Sequence, residues 1–476
     1  FAISMNNDHN FMDENEAEAL ISKFEQQLKS RDSFFFDVDD FAIIIDFYID
    51  SGSAEMAQIA LRHATTLHPN TVIFQVKKAQ ILAITNNSEQ ALTTLKKVEN
   101  LEPFNSDIIR TKANIFSQLR QYNNAIQEYK KLSIEDDAEE IYSNIAFEYE
   151  NMGQYKQAIQ YLKKVLAINP DNINALYEIA YCYESTGDLR ESISFFQNYL
   201  EDAPLSTTAW FNLGVSCSTM GRLDEAIEAF DFAIALEPEY ASAHFNKATV
   251  LCNQGNFKQA IEAYSETMKL ENPEAVTFQY IGECYEKLND FDNAMEYYYK
   301  AIEINDSYGE AWAGIASVYY ETGNQDKALS FIEKATKLDE NNADFLLLQG
   351  DIFKAMQDYD MATLAYAKAQ EKNPEDPNIW LDLAESLIYR DDDTSIGIET
   401  LRNALILFPN NTSLLYRLSY YELTGGKQKE GYRLLQQALL TNIERYHEFL
   451  EMDETLVNDP IIISFIEQAK EITQKS

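Results

Sequence analysis

Residues 207 to 238 read TTAWFNLGVSCSTMGRLDEAIEAFDFAIALEP, and the rest of the chain is organised around this stretch. Its first part carries apolar and small residues at helical spacing, which predicts a first helix with one buried stripe. The residues of that stripe are Trp210, Leu213, Gly214 and Cys217. Gly221 can adopt the left-handed conformation that ends this helix.

The second part of the stretch predicts a second helix that ends before Pro238, because proline cannot continue a helix. The apolar stripe of this helix comprises Leu223, Ala226, Ile227, Phe230 and Ala233. Gly214 and Ala226 are small enough to let the two helix backbones approach closely. A single hairpin cannot bury its own apolar face, so it needs neighbours.

The neighbours are further hairpins with a period close to 34 residues. Glycine recurs at the turn between helices, at Gly153, Gly187, Gly221, Gly255 and Gly323. Alanine recurs in the second helix, at Ala57, Ala91, Ala125, Ala158, Ala226, Ala260, Ala294, Ala328 and Ala362. Proline closes units at Pro69, Pro103, Pro170, Pro204, Pro238 and Pro374. We therefore predict twelve hairpins, beginning at Val38, Val72, Ser106, Glu139, Ile173, Thr207, Ala241, Ala275, Gly309, Ala343, Pro377 and Thr412.

The hairpin at 207–238 and its recurring glycines, alanines and prolines resemble the signature of the tetratricopeptide repeat (TPR) family, W-x2-L-G-x2-Y…A-x3-F…P. Cys217 stands in place of the usual tyrosine. The resemblance covers about residues 38–445 and implies an all-α fold, a TPR α-solenoid forming a right-handed superhelix with helical caps. We expect a flexible N-terminal segment at 1–12, a capping helix and aromatic linker at 13–37, and twelve TPR-like hairpins at 38–445. Capping helices at 446–476 would complete the chain.

The linker between the capping helix and the first hairpin is unusually aromatic, since residues 33–37 read SFFFD. Two interpretations stay open for it. The aromatic rings could plug the open end of the solenoid, or the segment could dock elsewhere in the manner of a peptide ligand.

The composition is strongly acidic, with 38 basic and 78 acidic residues and a formal net charge of −40. This charge argues against binding to nucleic acid or to anionic membrane surfaces. No stretch reaches the ~18 apolar residues that a membrane span needs. No secretory signal is seen, although Phe1 precedes Met5 and indicates a processed or altered start, so we expect a cytoplasmic protein.

Nothing in the sequence matches a catalytic, cofactor-binding or metal-binding motif, and we expect no enzyme and no cofactor. The four cysteines, Cys182, Cys217, Cys252 and Cys284, lie on the first helices of separate hairpins. Because they are about one repeat apart, we expect small buried packing residues and not disulfides or metal ligands.

In the TPR family the first helices line the concave face, where ligands usually lie, and that resemblance implies a groove one, four, eight, eleven and twelve residues after each hairpin start. Acidic residues outnumber basic ones on this face by fourteen to three. Aromatic residues are interleaved with them and include Tyr416 and Tyr420. The candidate partner-binding residues are Glu140, Phe147, Glu150, Tyr177, Tyr181, Glu184, Phe211, Phe245, Glu283, Glu286, Glu310, Tyr320, Glu321, Asp344, Asp351 and Glu385.

The function that follows is a non-enzymatic protein–protein interaction scaffold or adaptor. Its acidic, tyrosine-bearing groove would bind protein or peptide partners that carry a basic segment, because negative potential steers cationic partners and tyrosine faces attract Arg and Lys. The alternative is an architectural subunit of a larger assembly that docks through the edges or ends of the solenoid.

Overall fold

The computed structural model describes residues 14–30 and 35–475, so the predicted flexible segment at 1–12 lies outside the described residues. Within that part every regular element is a helix. The chain divides into two compact units, Phe1–Pro238 and Glu239–Ser476. The predicted all-α solenoid of stacked hairpins is confirmed in each unit.

In the first unit, a helix α1 (Glu14–Ser30) precedes six hairpins. Their first helices are α2 (Val38–Asp50), α4 (Val72–Ile84), α6 (Ser106–Gln118), α8 (Ile134–Asn151), α10 (Ile173–Thr186) and α12 (Thr207–Thr219). Their second helices are α3 (Ala54–Leu67), α5 (Ser88–Glu99), α7 (Tyr122–Tyr129), α9 (Tyr155–Ile168), α11 (Leu189–Asp202) and α13 (Leu223–Leu236).

The second unit contains six more hairpins. Their first helices are α14 (Ala241–Asn253), α16 (Ala275–Lys287), α18 (Gly309–Glu321), α20 (Ala343–Ala355), α22 (Pro377–Asp391) and α24 (Thr412–Thr424). Their second helices are α15 (Phe257–Leu270), α17 (Phe291–Ile304), α19 (Gln325–Leu338), α21 (Tyr359–Lys372), α23 (Thr394–Leu407) and α25 (Gln428–Thr441). Two short 3-10 helices, Ile443–Arg445 and Glu454–Asn458, flank α26 (Tyr446–Leu450), and α27 (Pro460–Lys475) follows.

The contact between α12 and α13 shows why a small residue is needed in the first helix. The ring of Phe230 lies fully buried against Gly214, and a Cβ at Gly214 would lie 2.7–2.9 Å from three of its ring carbons. Trp210 stacks on Phe232 with ring centroids 4.4 Å apart, and its indole nitrogen donates to the carbonyl of Pro204 at 2.9 Å. Close packing at these two rings therefore joins the two helices of the hairpin.

Eleven of the twelve first helices begin at the residue predicted for their hairpin. The exception is α8, which begins at Ile134 and not at Glu139. Asp137 interrupts it with a non-helical backbone, φ −144° and ψ 38°, and Arg110 of α6 pairs with both Asp137 and Glu140. This ion-pair cluster accompanies the kink at the single 33-residue step of the repeat.

At the N-terminal end, α1 and the linker pack on the first hairpin through aromatic rings. Phe24 of α1 is fully buried, with its ring centroid 6.4 Å from that of Phe41. Phe36 is also buried, 5.5 Å from Phe41 and 6.0 Å from Phe24, whereas Phe35 is 89% exposed. The buried position of Phe36 therefore agrees with the first interpretation of the linker, in which its aromatic rings plug the end of the solenoid. Ser33 and Phe34 lie outside the described residues.

Candidate functional site

The first helices α10 and α12 of the first unit, with Leu189 of α11, line a partly open pocket of about 190 Å³. Four predicted groove residues lie together in its lining, namely Tyr177, Tyr181, Glu184 and Phe211. Tyr177 and Tyr181 keep 38% and 52% of their surface exposed. The ring of Tyr181 meets that of Tyr155 edge-on, with centroids 5.9 Å apart, which fixes one wall of the pocket.

Two neighbouring carboxylates of the first unit, Glu150 on α8 and Glu178 on α10, share a hydrogen bond. Burial and the adjacent Glu178 raise the pKa of Glu150 to about 8. The thiol of Cys182 donates to Glu150 at 3.6 Å. Glu150 and Glu178 therefore form a carboxylate pair that resists full ionisation at neutral pH.

The remaining predicted residues of the first unit lie on α8. Phe147 is 46% exposed. Glu140 is exposed as well, but Arg110 pairs with it and with Asp137, so its charge is partly balanced within the protein.

In the second unit, Glu283 and Glu286 of α16 lie close enough to repel each other. Burial, and then the charge of Glu286, raise the pKa of Glu283 to about 7. The side chain of Glu283 nevertheless keeps exposed surface. The carboxylate of Glu283 is therefore accessible to a partner, yet protein atoms and Glu286 around it disfavour its ionised form.

Glu286 is held inside the hairpin stack and does not project freely. The buried hydroxyl of Tyr298 donates to it at 2.7 Å, and so does Ser317 of α18, also at 2.7 Å. Asp351 is held in the same way by Tyr366, at 2.7 Å. These two predicted groove residues have structural roles.

Glu385 of α22 is also neutralised internally, because Lys354 donates to it at 2.7 Å and Arg417 pairs with its other oxygen. Asp382 lies 3.8 Å from the Lys354 ammonium. Burial raises the pKa of Asp382 to about 6, against the opposing charge of Lys354.

The other predicted members in this unit differ in accessibility. Glu310, Glu321 and Asp344 are exposed. Tyr320 is half-buried, and burial followed by the charge of Asp351 raises its pKa. Phe245 is half-buried, with its ring centroid 5.4 Å from that of Tyr264, and forms a wall between α14 and α15.

The prediction that Tyr416 belongs to the groove is wrong. Its side chain is fully buried, packs on Phe449 of α26 with ring centroids 5.9 Å apart, and donates to the carbonyl of Asn442 at 3.3 Å. The C-terminal helices cover this position, so the face is closed there. Tyr420 is half-buried.

Two residues that sequence reasoning missed belong to the same face. Glu178 and Asp382 lie five residues after the start of their hairpins, one beyond a predicted position. Each interacts with a carboxylate of the preceding first helix, Glu178 with Glu150 on α8 and Asp382 with Asp351 on α20. Both are acidic and lie at the same offset from the start of their hairpins, and this shared offset is the signal that could have found them.

Neither a cluster of metal-ligating side chains nor a helix of membrane-spanning character occurs among the described residues. No group of three or more His, Cys, Asp or Glu residues is arranged there to hold a metal ion. No helix within residues 14–30 and 35–475 combines the length and apolar composition that crossing a bilayer requires.

Comparison with known proteins gives sequence matches to one repeat family. Profiles described as "Tetratricopeptide repeat" match residues 151–213, 207–240, 275–308 and 309–342. No curated protein sequence matches the chain.

Among solved structures, a chain of the APC/C hetero-tetramer Cut9–Hcn1 is similar at 14% identity, with 90% of this chain and 94% of that chain covered and a TM-score of 0.42. A tetratricopeptide repeat protein from Parabacteroides merdae is 17% identical over 52% of this chain and 98% of that chain, with a TM-score of 0.45. YrrB, described as a TPR protein with an unusual peptide-binding site, is 22% identical over 38% of this chain and 93% of that chain, with a TM-score of 0.30. The profiles therefore identify tetratricopeptide repeats in this chain at residues 151–240 and 275–342, among the helical hairpins observed in both units, and such repeats serve in general as protein–protein interaction modules.

Proposed function

We propose that this protein is a non-enzymatic adaptor that holds a basic segment of a protein partner against its first helices. In this proposal the segments 13–37 and 446–476 cap the two ends, and the twelve hairpins at 38–445 form the binding region. The observation that carries it is the pocket of Tyr177, Tyr181, Glu184 and Phe211 in the first unit.

The pocket has the chemistry that a lysine or arginine side chain needs. Aromatic faces attract a cation through their quadrupole, with about 0.5–2 kcal/mol per contact. The carboxylate of Glu184 is exposed beside the rings and can accept a charge-assisted hydrogen bond from the same cation. An acidic side chain in this place would instead meet like charge.

Raised carboxyl pKa values in both units support the same partner chemistry. A pKa of about 8 for Glu150 and about 7 for Glu283 means that burial and neighbouring carboxylates disfavour the ionised form. A cation brought by a partner would relieve that repulsion. We therefore expect these two positions to favour a cationic partner over an anionic one.

A direct test is to titrate the full chain with a fluorescent Arg/Lys-rich peptide and with a matched Asp/Glu-rich peptide, following anisotropy. We expect only the basic peptide to bind. Tyr181→Ala and Glu184→Lys should each weaken binding roughly five- to thirtyfold, which corresponds to about 1–2 kcal/mol. Glu191→Lys, the same charge change at an exposed site on the second helix α11, is the matched control and should bind normally.

Equal binding by Tyr181→Ala, Glu184→Lys and the control would contradict the proposal. So would equal binding of the acidic and basic peptides.

The alternative, an architectural subunit that docks by an edge, is favoured by one exposed apolar site. Leu101 and Phe104, in the turn between α5 and α6, are 72% and 92% exposed. Replacing both with serine should remove the chain from its native complex on this alternative, while Tyr181→Ala should leave it there. The two variants therefore separate the two functions in a single co-purification experiment.

A further inference from the structure

The thiols of Cys252 and Cys284 lie in direct contact, with their sulfur atoms 2.7 Å apart. Cys252 is near the end of α14 and Cys284 is near the end of α16, so the contact joins the first helices of consecutive hairpins. The neighbouring Glu283 is one of the predicted groove residues. The pair therefore lies beside the face that we propose binds partners.

The one-repeat spacing predicts packing residues and not disulfides, and all four cysteines are free thiols, but that spacing does not predict the contact between Cys252 and Cys284. Residues one repeat apart are distant in sequence but occupy equivalent places on neighbouring first helices. Cys252 lies eleven residues after its hairpin start and Cys284 nine residues after its own, and at this offset the two side chains meet.

The two thiols differ in accessibility and in acidity. Cys252 is half-buried, whereas Cys284 has no exposed surface. A hydrogen bond from the Cys284 thiol lowers the pKa of Cys252, with help from the Tyr264 hydroxyl, although burial and the nearby Glu283 oppose this shift. The pKa of Cys284 is raised, first by the same hydrogen bond and then by burial.

This asymmetry is the arrangement of an attacking and a resolving cysteine. The thiolate is the reactive form of cysteine, and reactive cysteines are partly exposed with a lowered pKa. Cys252 meets both conditions. Cys284 is shielded from solvent but lies within reach of a mixed disulfide formed on Cys252.

We propose that Cys252 and Cys284 form a reversible disulfide that joins α14 to α16, by exchange with a low-molecular-weight disulfide such as glutathione disulfide. The Cys252 thiolate attacks one glutathione sulfur, forming a mixed disulfide and releasing one glutathione thiolate. Cys284 then gives up its proton and attacks the Cys252 sulfur, releasing the second glutathione. Two protein thiols are oxidised and one glutathione disulfide is reduced to two glutathione molecules.

The cross-link would act on one repeat interface. In a solenoid each repeat is stabilised by its nearest neighbours, so a covalent bond between α14 and α16 resists local separation of these two hairpins. The partner-binding face would be stiffened at that point. Free thiols would leave the interface to packing alone.

The test uses the full chain, purified with reductant, exchanged into buffer with excess glutathione disulfide, and then denatured for thiol counting. We expect the count to fall from four to two, and a non-reducing digest to show one cross-linked peptide pair containing Cys252 and Cys284. The buried Cys182 and Cys217 serve as internal controls, since burial raises the pKa of both. Dithiothreitol should restore four thiols.

Two variants test the order of attack. Cys284→Ser should accumulate a glutathione adduct on Cys252, because the resolving thiol is gone. Cys252→Ser should leave Cys284 unmodified in the native state, because it is buried. A wild-type chain that keeps all four thiols, or a cross-link to Cys182 or Cys217, would overturn the proposal, and both results are independent of how well the variants fold.

Discussion

The hydroxyl of Tyr366 donates a hydrogen bond of 2.7 Å to the carboxylate of Asp351, joining the second helix of a hairpin to its first. Tyr366 is fully buried, so the bond connects the hairpin core to a predicted groove residue. Equivalent tyrosines donate to the first helix in two other hairpins, at 2.6 Å from Tyr129 to Asn114 and 2.7 Å from Tyr298 to Glu286. Some polar residues of the predicted binding face thus serve as hydrogen-bond acceptors for buried tyrosine hydroxyls.

Removing the Tyr366 hydroxyl should destabilise its hairpin. In Tyr366→Phe the half-buried Asp351 loses a donor, which costs about 1–2 kcal/mol in the free energy of unfolding. Chemical denaturation of the two proteins measures the difference. Tyr389→Phe removes a hydroxyl from a side chain that is 55% exposed, and it should change stability by less than about 0.5 kcal/mol.

The turns between helices offer a stabilising substitution. Gln357 has φ +62°, in the left-handed region that glycine adopts at the equivalent Gly323, with φ +76°. Gln357→Gly should remove that strain and raise the free energy of unfolding by about 0.5–1 kcal/mol.

The reverse change is the control for this turn. A Cβ at Gly323 would meet nothing within 4 Å, so Gly323→Gln should cost only backbone strain, about 1 kcal/mol. If both substitutions shift the denaturation midpoint in the same direction, the strain argument fails.

The helix positions could be predicted from sequence because each depends on a local rule repeated many times. The turn glycines, the second-helix alanines and the closing prolines each mark one point of a hairpin, and together they located the start of eleven first helices. The left-handed turn at Gln357 carries no such mark. It follows from the packing of the helices on either side.

The binding face was predicted less completely, because periodicity gives the direction of a side chain but not what reaches it from the next helix. Asp351 was predicted to face the groove, but its carboxylate accepts a hydrogen bond from Tyr366 of the second helix. Tyr416 has the right spacing, but the C-terminal helices cover it. To predict the Cys252–Cys284 contact, one must know that residues about one repeat apart in sequence lie on adjacent first helices in the structure.

Stability should depend on pH through Glu150. Its pKa is about 8 in the folded protein, against an ordinary value of 4.5, so the folded state binds the proton more tightly. This contribution to stability is fully present below about pH 4.5 and is lost as pH rises through about 8. Glu150→Gln should therefore flatten the fall in stability across this range and be more stable than the wild type at pH 8.5.

Urea denaturation at several pH values between 5 and 8.5 provides the measurement. Glu184→Gln removes the same formal charge from an exposed carboxylate and corrects for the general effect of net charge. A Glu150→Gln profile parallel to that of Glu184→Gln would show that the buried carboxyl pair has no special effect.

Charge reversal in the second unit should weaken binding of a basic peptide. Glu283 and Glu310 are exposed on first helices, and changing both to lysine should reduce affinity roughly tenfold or more at low salt. Glu286 is left unchanged because Tyr298 and Ser317 depend on it. The effect should shrink as salt rises, since the screening length is about 8 Å at physiological ionic strength.

The matched control for this reversal is the pair Glu262→Lys and Glu303→Lys, which makes the same charge change at exposed positions of second helices. An equal loss of affinity in this control would mean that net charge, and not the groove, attracts the peptide.

Neighbouring phenylalanines provide the last prediction, at the N-terminal end. Phe36 is buried between Phe24 and Phe41, while Phe35 beside it is 89% exposed. Phe36→Ala should cost about 3 kcal/mol through lost burial and the cavity left behind, and Phe35→Ala less than about 0.5 kcal/mol. Because repeats are stabilised by their neighbours, amide hydrogen exchange should quicken most in α1 to α3. Equal exchange in the two variants would show that the ring of Phe36 does not close this end of the stack.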